Sequence, residues 1–386
     1  MGLATGALPD FPWDALGPYA ATARAHPGGI VDLSVGTPVD PTPKLVRDAL
    51  AAASDAPGYP TTHGAPELRG AVVDWFARRR AVPGLDPAGV LPTIGSKELV
   101  AWLPALLGLG GGDVVLHPAT AYPTYDLGAR LAGARPVAAD DVVERLAPGA
   151  PGADDVRLVW LNSPGNPDGR VLGIEELAAV VSAARAAQDR TGKPVVIASD
   201  ECYAELAWDE PWASEGVPSI LDPRIAGGDL TGLLAVYSLS KQSNLAGYRA
   251  AFAAGDPVLV GRLLELRKHA GMIVPAPVQA AMTVALRDDE HVAAQRELYR
   301  GRREVLRAAL ERSGHVVDGS HAGLYLWTRP QGLPQDCWAT VSGFAERGIL
   351  VAPGAFYGPA AAGHVRVALT ATDEQVDEAA RRLVAG

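Results

Sequence analysis

Four short apolar runs in the middle of the chain constrain the fold more than any other feature of the sequence. They are DVVLH (113–117), VRLVWLN (156–162), PVVIAS (194–199) and LLAVYS (233–238). Runs that are apolar on both faces, and that alternate with helix-like stretches such as 173–188, are typical of a parallel sheet covered by helices on both sides. The sequence therefore predicts an α/β fold with a large, mostly parallel central sheet.

The C-terminal third has a different pattern. RGILVAPG and HVRVALT are interpreted as strands around a glycine-rich loop, and residues 256–312 as helices interrupted near Pro275 and Pro277. A last helix is expected to begin after Thr372, which is a favourable N-cap residue. We therefore predict a large α/β domain over residues 44–271 and a smaller α+β domain built from residues 1–43 and 272–386.

Charge and composition exclude several classes of protein. The formal net charge of −10 argues against a nucleic-acid partner, because phosphate binding needs a concentrated basic surface. No signal peptide is recognised, and the most apolar stretch (99–118) is broken by proline and glycine, so no membrane partner is expected. The two cysteines form no CxxC pair and the histidines lack metal-ligand spacing. A reduced, cytoplasmic protein without a metal site is predicted, with Cys202 as a small buried side chain.

Polar residues follow three of the four apolar runs directly. SPGNPDG (163–169), DECY (200–203) and SLSK (238–241) begin where the strands are expected to end. Each cluster alone has an ordinary explanation as a turn, a helix cap or a solvated lysine. However, the carboxyl ends of parallel strands meet at one edge of the sheet, where ligands bind. We therefore expect these side chains to converge on one site.

This set of residue types suits one cofactor. A lysine amine forms a Schiff base with an aldehyde, and pyridoxal phosphate also needs an acid that keeps its pyridine nitrogen protonated. The phosphate group needs hydroxyls, an arginine and a helix N-terminus. LPTIGSKELVAW (91–102) is interpreted as a loop in which Gly95 and Ser96 open such a helix. Tyr122, in AYPTY, is either a ring-stacking residue or part of the core.

The motifs match a known family. VDLSVGTPVDPTP, YPTTHGAPELR, NSPGNPDG, SDECY, SLSKQSNLAGYR and HVRVAL run through essentially the whole chain. With them, the chain resembles the fold-type I, pyridoxal-phosphate-dependent aminotransferases of class I/II. The resemblance implies that Lys241 is the Schiff-base lysine and general acid/base, and that Asp200 pairs with the pyridine nitrogen. It further implies that Asn166 and Tyr203 hydrogen-bond the 3-oxygen of the ring, and that Tyr122 stacks on the ring.

The resemblance also implies how the phosphate and the substrate are held. The residues that match the phosphate cup are Gly95, Ser96, Lys97, Ser238, Ser240 and Arg249. Arg366 resembles the clamp for the α-carboxylate of the substrate, with Gly36 and Asn166 nearby. Tyr59 resembles a residue that reaches the phosphate of a neighbouring subunit, which implies a homodimer with shared active sites.

More narrowly, the chain resembles the actinobacterial N-succinyldiaminopimelate aminotransferases. FPWD, GYPTT, AYPTYDLGARLAGA, RKHAGMIVPAPVQAAM and GILVAPGAFYGP are similar to segments of that group. The resemblance implies transamination between L-glutamate and N-succinyl-2-amino-6-oxopimelate. The alternatives are an aminotransferase for aspartate, aromatic or N-acetylornithine-type substrates, or a C–S lyase with the same cofactor. A ligand-sensing regulator is disfavoured, because the fold leaves no room for a DNA-binding module.

Overall fold

A central sheet of seven strands organises the chain, which a computed structural model describes over residues 10–332 and 336–385. In spatial order its strands are Val90–Ile94, Ala250–Gly255, Leu233–Ser238, Val196–Asp200, Val156–Asn162, Val114–His117 and Arg135–Ala138. Only Ala250–Gly255 runs antiparallel to its two neighbours. The fold class is confirmed as a mostly parallel α/β fold.

The three strands that end in polar clusters are direct neighbours in this sheet. Asn162 pairs with Asp200 in register, and Asp200 pairs with Val236 two residues before Ser238. All three strands are buried along their whole length. Their apolar side chains therefore cover both faces of the sheet, and only the residues at their carboxyl ends are free to form a site.

Fifteen α-helical segments lie within the described part of the chain. They are Gly17–Ala25, Lys44–Ala52, Pro66–Arg79, Ser96–Leu106, Thr124–Leu131, Val142–Leu146, Ile174–Thr191, Trp212–Glu215, Pro223–Ala226, Leu239–Gln242, Pro257–Ala270, Ala276–Arg287, Glu290–Arg312, Cys337–Glu346 and Asp373–Val384. The last has the predicted Thr372 N-cap, in a capping box with Gln375. None of these helices has the length and apolar character needed to cross a bilayer.

One sequence interpretation is wrong. The sequence predicts LPTI as part of a loop, but Val90–Ile94 is the edge strand of the large sheet and pairs with Ala250–Gly255. Pro92 is tolerated there because an edge strand does not need every N–H group for a ladder. The helix that follows does begin at Ser96, as predicted.

A second sheet is built from the C-terminal third. Its four antiparallel strands are, in order, Ala352–Pro353, Val365–Ala368, Tyr325–Pro330 and His315–Asp318. The short strand Val31–Asp32 near the N-terminus pairs with Ile349–Leu350. The N-terminal arm and the C-terminal third therefore form one structural layer beside the large sheet.

Among the described residues, three large apolar clusters accompany the two sheets, one beside the small sheet and two along the large sheet. Residues 16–33 share a buried cluster with residues from 299–383, whereas Val46 and residues along the large sheet belong to another. Helix Ala276–Arg287 packs Val278 and Met282 into the large-sheet cluster, although the sequence assigned it to the small domain. The domain boundaries stay a prediction, and this packing favours a boundary after the helix.

Candidate active site

A cavity of about 530 Å³ lies at the carboxyl ends of the central strands. It is lined by Phe11, Trp13, Val35, Gly36, Thr37, Ser96, Lys97, Val100, Tyr122, Tyr125, Asn162, Asn166, Asp200, Cys202, Tyr203, Ser238, Ser240, Lys241, Ala246, Arg249, Tyr325 and Arg366. The volume is within the range of small-molecule and cofactor sites. The structure therefore brings together almost all the residues that the sequence predicted for the site.

Of the described residues that line the cavity, Asp200 is the one with a carboxylate, and it is buried. Its Oδ2 accepts a hydrogen bond of 2.8 Å from Tyr125 Oη, and its Oδ1 accepts one of 3.2 Å from the Cys202 N–H. Burial raises the pKa of Asp200 because it removes water from the charged form. A cationic N–H placed beside this carboxylate would offset that cost, which suits a protonated pyridine ring.

Lys241 lies in the short helix Leu239–Gln242, directly after a buried strand. Ser238 caps this helix, because its side chain accepts a 3.2 Å hydrogen bond from the Ser240 N–H. The Lys241 Nζ donates to the Gly36 carbonyl oxygen. Burial lowers the pKa of Lys241, so the neutral, nucleophilic amine forms at a lower pH than in an exposed lysine.

The predicted phosphate cup is assembled from three segments. The Ser238 and Ser240 hydroxyls lie 2.8 Å apart, and Ser96 begins a helix whose first N–H groups have no helical acceptor. Gly95 has a φ of +76°, and a Cβ at this position would collide with the Arg249 guanidinium. Gly95 is therefore needed both for the backbone conformation and for the space that Arg249 occupies. Hydroxyls, a guanidinium and a helix N-terminus together suit a phosphate dianion.

Lys97 and Tyr122 form another part of the wall. The Lys97 Nζ lies 5.7 Å from the ring centroid of Tyr122 and 5.6 Å from that of Phe11. These distances allow cation–π attraction to both rings. The structure thus places this amine between two aromatic rings, and the role of Lys97 in phosphate binding stays a prediction.

Arg366 is a buried cation held from several sides. Its Nη1 donates to Asn166 Oδ1 over 3.0 Å, and its Nη2 donates to the Ser34 carbonyl oxygen over 2.7 Å. The guanidinium carbon lies 3.9 Å from the ring centroid of Tyr325, and Arg366 Nε has no hydrogen-bond partner among the described residues. A buried cation with a free donor of this kind is suited to receive a substrate carboxylate.

Two phenols, Tyr203 and Tyr325, meet beside Lys241 and Arg366. Their hydroxyl oxygens lie 3.1 Å apart. Burial raises the pKa of Tyr203, whereas for Tyr325 the opposing charges of Arg366 and Lys241 outweigh burial and lower the pKa. Gly36 packs closely against Tyr325, since a Cβ at Gly36 would collide with the phenol. The pair can therefore supply hydrogen bonds of different acidity to a ring oxygen.

Gly95 and Tyr59 are the predicted site residues that are not among those lining the cavity. Gly95 lies against Arg249, which does line it. The side chain of Tyr59 is 100% exposed. This exposure leaves the side chain accessible to a neighbouring subunit, and its predicted contact with the phosphate of that subunit stays a prediction.

Several lining residues were missed by reasoning from the sequence. Tyr125 holds Asp200, and Tyr325 pairs with Tyr203. Asn162 donates to the Pro164 and Asp200 carbonyl oxygens, and its Oδ1 accepts from the Asn166 N–H over 2.8 Å. Asn162 thereby fixes the turn that presents Asn166. Its position at the end of VRLVWLN was the one sequence signal for this role. Cys202 is buried, as predicted, and it also lines the cavity.

The lysine, the carboxylate and the anion cup on this sheet define a pyridoxal-phosphate-dependent enzyme of fold type I. More specifically, the chain belongs to the aminotransferase class I and II family, whose pattern matches residues 29–383. The cofactor supplies an electron sink for the bond-breaking steps at the α-carbon. Among the described residues, no group of three or more His, Cys, Asp or Glu side chains is arranged to hold a metal ion.

Known proteins with similar sequences are aminotransferases. The chain is 54% identical over 376 residues to the 4-dedimethylamino-4-oxo-anhydrotetracycline transaminase OxyQ of Streptomyces rimosus, covering 97% of this chain and 99% of that one. It is 56% identical over 382 residues to a probable aminotransferase of Mycobacterium tuberculosis, covering 99% and 87%. The predicted specific closeness to N-succinyldiaminopimelate aminotransferases is not confirmed by these two relatives.

A solved structure with a similar fold carries the predicted activity in its name. It is a probable N-succinyldiaminopimelate aminotransferase from Thermus thermophilus, with a TM-score of 0.82 and 28% identity. The alignment covers 97% of this chain and 100% of that one. The activity in that name belongs to the Thermus protein.

Proposed function

We propose that this aminotransferase transfers the amino group of L-glutamate to N-succinyl-2-amino-6-oxopimelate. The observation that carries the proposal is the charge of the cavity wall. Among the described residues, its ionisable basic side chains are Lys97, Lys241, Arg249 and Arg366, and its one carboxylate is that of Asp200. A succinylated keto diacid carries three carboxylates, and such a wall favours polyanionic substrates.

We assign two of these basic side chains to the cofactor and two to the substrate. Lys241 bonds to the cofactor and Arg249 contributes to the phosphate cup, so Arg366 is left for a substrate carboxylate. Lys97, which the family resemblance assigns to the phosphate cup, is proposed for a second substrate carboxylate instead. Arg366 binds the α-carboxylate of either substrate, because both half-reactions place an α-carbon at the same point. Lys97 is then available for a second carboxylate, at the wall formed by Tyr122 and Phe11.

Lys241 carries out the proton transfers at the α-carbon. Its amine must be neutral to accept the α-proton, and its lowered pKa favours that state. Asp200, held by Tyr125, would keep a proton on the pyridine nitrogen of the bound cofactor, and Asn166 and Tyr203 would donate to its ring oxygen. The same amine returns the proton to the keto acid in the second half-reaction.

We further propose a homodimer with shared active sites. Tyr59 is fully exposed, and Phe11, Val35, Val39 and Trp102 are also exposed large apolar side chains. Phe11 and Val35 line the cavity as well. We propose that a second copy covers these side chains and that the Tyr59 side chain of each copy reaches the phosphate of the other.

A second candidate is amination of a polycyclic ketone, the reaction named for OxyQ. The 54% identity over nearly the whole of both chains favours it. The charge of the cavity wall favours the acidic acceptor instead, since Arg366 and Lys97 would face a ligand with few anionic groups.

A panel of amino donors, assayed in the reverse direction, decides between the two candidate reactions. Purified enzyme loaded with pyridoxal phosphate is assayed in the reverse direction, with N-succinyl-LL-diaminopimelate and 2-oxoglutarate, and glutamate formation is measured. Unsuccinylated diaminopimelate, aspartate, N-acetylornithine and an aminated anhydrotetracycline serve as competing donors. The proposal predicts the highest kcat/KM for the succinylated donor; a higher value for any of the others would overturn it.

A further inference from the structure

The backbone that follows Lys241 is held in an unfavourable conformation. Asn244 and Arg249 have φ values of +54° and +56°, and they are two of four non-glycine residues with positive φ in the described chain. Residues in this region are strained and persist only where their surroundings hold them. The helix that carries Lys241 has only four residues, so it gives little support of its own.

A hydrogen-bonded chain of side chains supports the backbone turn that follows Lys241. The Ser243 Oγ, two residues after Lys241, lies 2.8 Å from His291 Nε2. His291 Nδ1 lies 2.6 Å from Asp288 Oδ2, and Gln242 Nε2 donates to the Ser243 Oγ over 3.2 Å. Tyr237 Oη in turn donates to Gln242 Oε1 over 2.5 Å. The chain therefore runs from Asp288, just before the long helix, to the strand that leads into the site.

Chemistry determines the direction of the bond between His291 and Asp288. The His291 N–H groups outweigh partial burial and lower the pKa of Asp288, so its carboxylate accepts from His291 Nδ1. The protonation state of the ring determines whether Nε2 accepts from the Ser243 hydroxyl or donates to it. Gln242 Nε2 donates to Ser243 Oγ in either case, so the hydroxyl is held between His291 and Gln242.

The same helix contacts the turn at a second point. Gln295 lies four residues after His291, so both side chains are on one face of helix Glu290–Arg312. Asn244 Nδ2 donates to Gln295 Oε1 over 2.7 Å, and Gln295 Nε2 donates to Asp40 Oδ2 over 2.8 Å. Asp40 lies in the segment whose Gly36 carbonyl accepts from Lys241 Nζ. The turn and the acceptor of the lysine are thus held by one helix.

We propose that His291 is a positioning residue for Lys241, acting through the hydroxyl of Ser243. His291 fixes where the turn after Lys241 lies, and so fixes the angle at which the Lys241 amine approaches the cofactor aldehyde and the α-proton. It does not touch the substrate. The proposal depends on the role of Lys241 and is independent of which keto acid is the acceptor.

A matched pair of substitutions separates positioning from simple packing. In His291→Gln the side-chain amide can replace Nε2 in the contact with Ser243, whereas in His291→Asn the shorter amide reaches Asp288 and the contact with Ser243 is lost. Both variants lose the imidazole ring, so a purely structural role would affect them alike. Ser243→Ala removes the same link from the other side and keeps His291.

Two readouts are measured for each variant. The first is kcat and KM for the glutamate half-reaction of the loaded enzyme. The second is the rate at which pyridoxal phosphate, added to cofactor-free protein, becomes fixed to Lys241 on borohydride reduction. We expect His291→Asn and Ser243→Ala to lower kcat between about tenfold and a hundredfold, because small misplacements of a reacting group have effects of that size. KM is expected to stay within about twofold, and the fixation rate is expected to fall with kcat while His291→Gln retains most of both.

The proposal is overturned if His291→Asn and His291→Gln lower kcat equally. It is also overturned if the losses in kcat follow the thermal unfolding midpoints of the variants while the rate of cofactor fixation stays unchanged. If His291→Asn does not fold, Ser243→Ala against His291→Gln decides in the same way. Failure of the diaminopimelate assignment would not produce either result, since neither readout involves the keto acceptor.

Discussion

Tyr125 Oη donates a 2.8 Å hydrogen bond to Asp200 Oδ2 at the buried end of the cofactor cavity. Both side chains are buried, so no water replaces this bond when it is removed. We expect Tyr125→Phe to weaken cofactor binding by about tenfold, because hydrogen bonds to charged groups contribute roughly 1.5–3 kcal/mol. Titration of cofactor-free protein with pyridoxal phosphate measures the Kd. An unchanged Kd would show that the hydrogen bond from Tyr125 to Asp200 does not contribute to cofactor binding.

Gly95 provides a test of the phosphate cup. Gly95→Ala adds a Cβ where the Arg249 guanidinium lies, at a φ of +76°. Gly133 has a nearly identical φ of +77° and open space around it, so Gly133→Ala is a matched control for backbone strain. Both variants should lose about 1–2 kcal/mol of stability from the left-handed backbone. Only Gly95→Ala should also weaken cofactor binding, and equal Kd values for the two variants would contradict the assignment.

The pH dependence of Lys241 follows from its burial. Its pKa is lowered, so the neutral amine is present at a pH below the ordinary lysine value of 10.5. The rate of cofactor fixation by cofactor-free protein should therefore rise with pH and level off with a midpoint below 10.5. A stopped-flow series over pH gives this midpoint. A midpoint at or above the ordinary value would show that the cavity does not activate the amine.

Arg366 is expected to discriminate among substrates by geometry as well as by charge. Arg366→Lys keeps the positive charge but loses the bonds to Asn166 and Ser34 and the planar fork that binds a carboxylate. The kcat/KM for glutamate should fall between about tenfold and a hundredfold, the size of one or two charge-assisted hydrogen bonds. Arg329→Lys, on the adjacent strand and paired with Asp318, is the control. Equal losses of kcat/KM in the two variants would show that Arg366 does not bind the substrate carboxylate.

Much of the site was accessible from the sequence because strand ends are local features. LLAVYS and VRLVWLN coincide with strands Leu233–Ser238 and Val156–Asn162, so the polar residues that follow these strands were placed correctly. The side chains that contact those polar residues were not predictable in the same way. Tyr125 reaches Asp200 from a helix 75 positions away, and His291 reaches Ser243 from 48 positions away. Such contacts depend on how helices pack, which local pattern does not specify.

The edge strand Val90–Ile94 shows a second limit of the sequence. Its proline is typical of a loop, and only pairing with Ala250–Gly255 makes it a strand. Likewise, helix Ala276–Arg287 packs Val278 and Met282 into the large-sheet core, a tertiary contact that the local sequence pattern does not specify.

The central claim is that pyridoxal phosphate is bound covalently to Lys241, and one measurement tests it directly. The loaded enzyme is reduced with borohydride, digested, and its peptides are mapped by mass spectrometry. Lys97→Ala is the control, because Lys97 lies in the same cavity wall. We expect the cofactor mass on the peptide that contains Lys241, in the wild type and in Lys97→Ala, and no labelled peptide in Lys241→Ala. Label on Lys97, or label that persists in Lys241→Ala, would contradict the account.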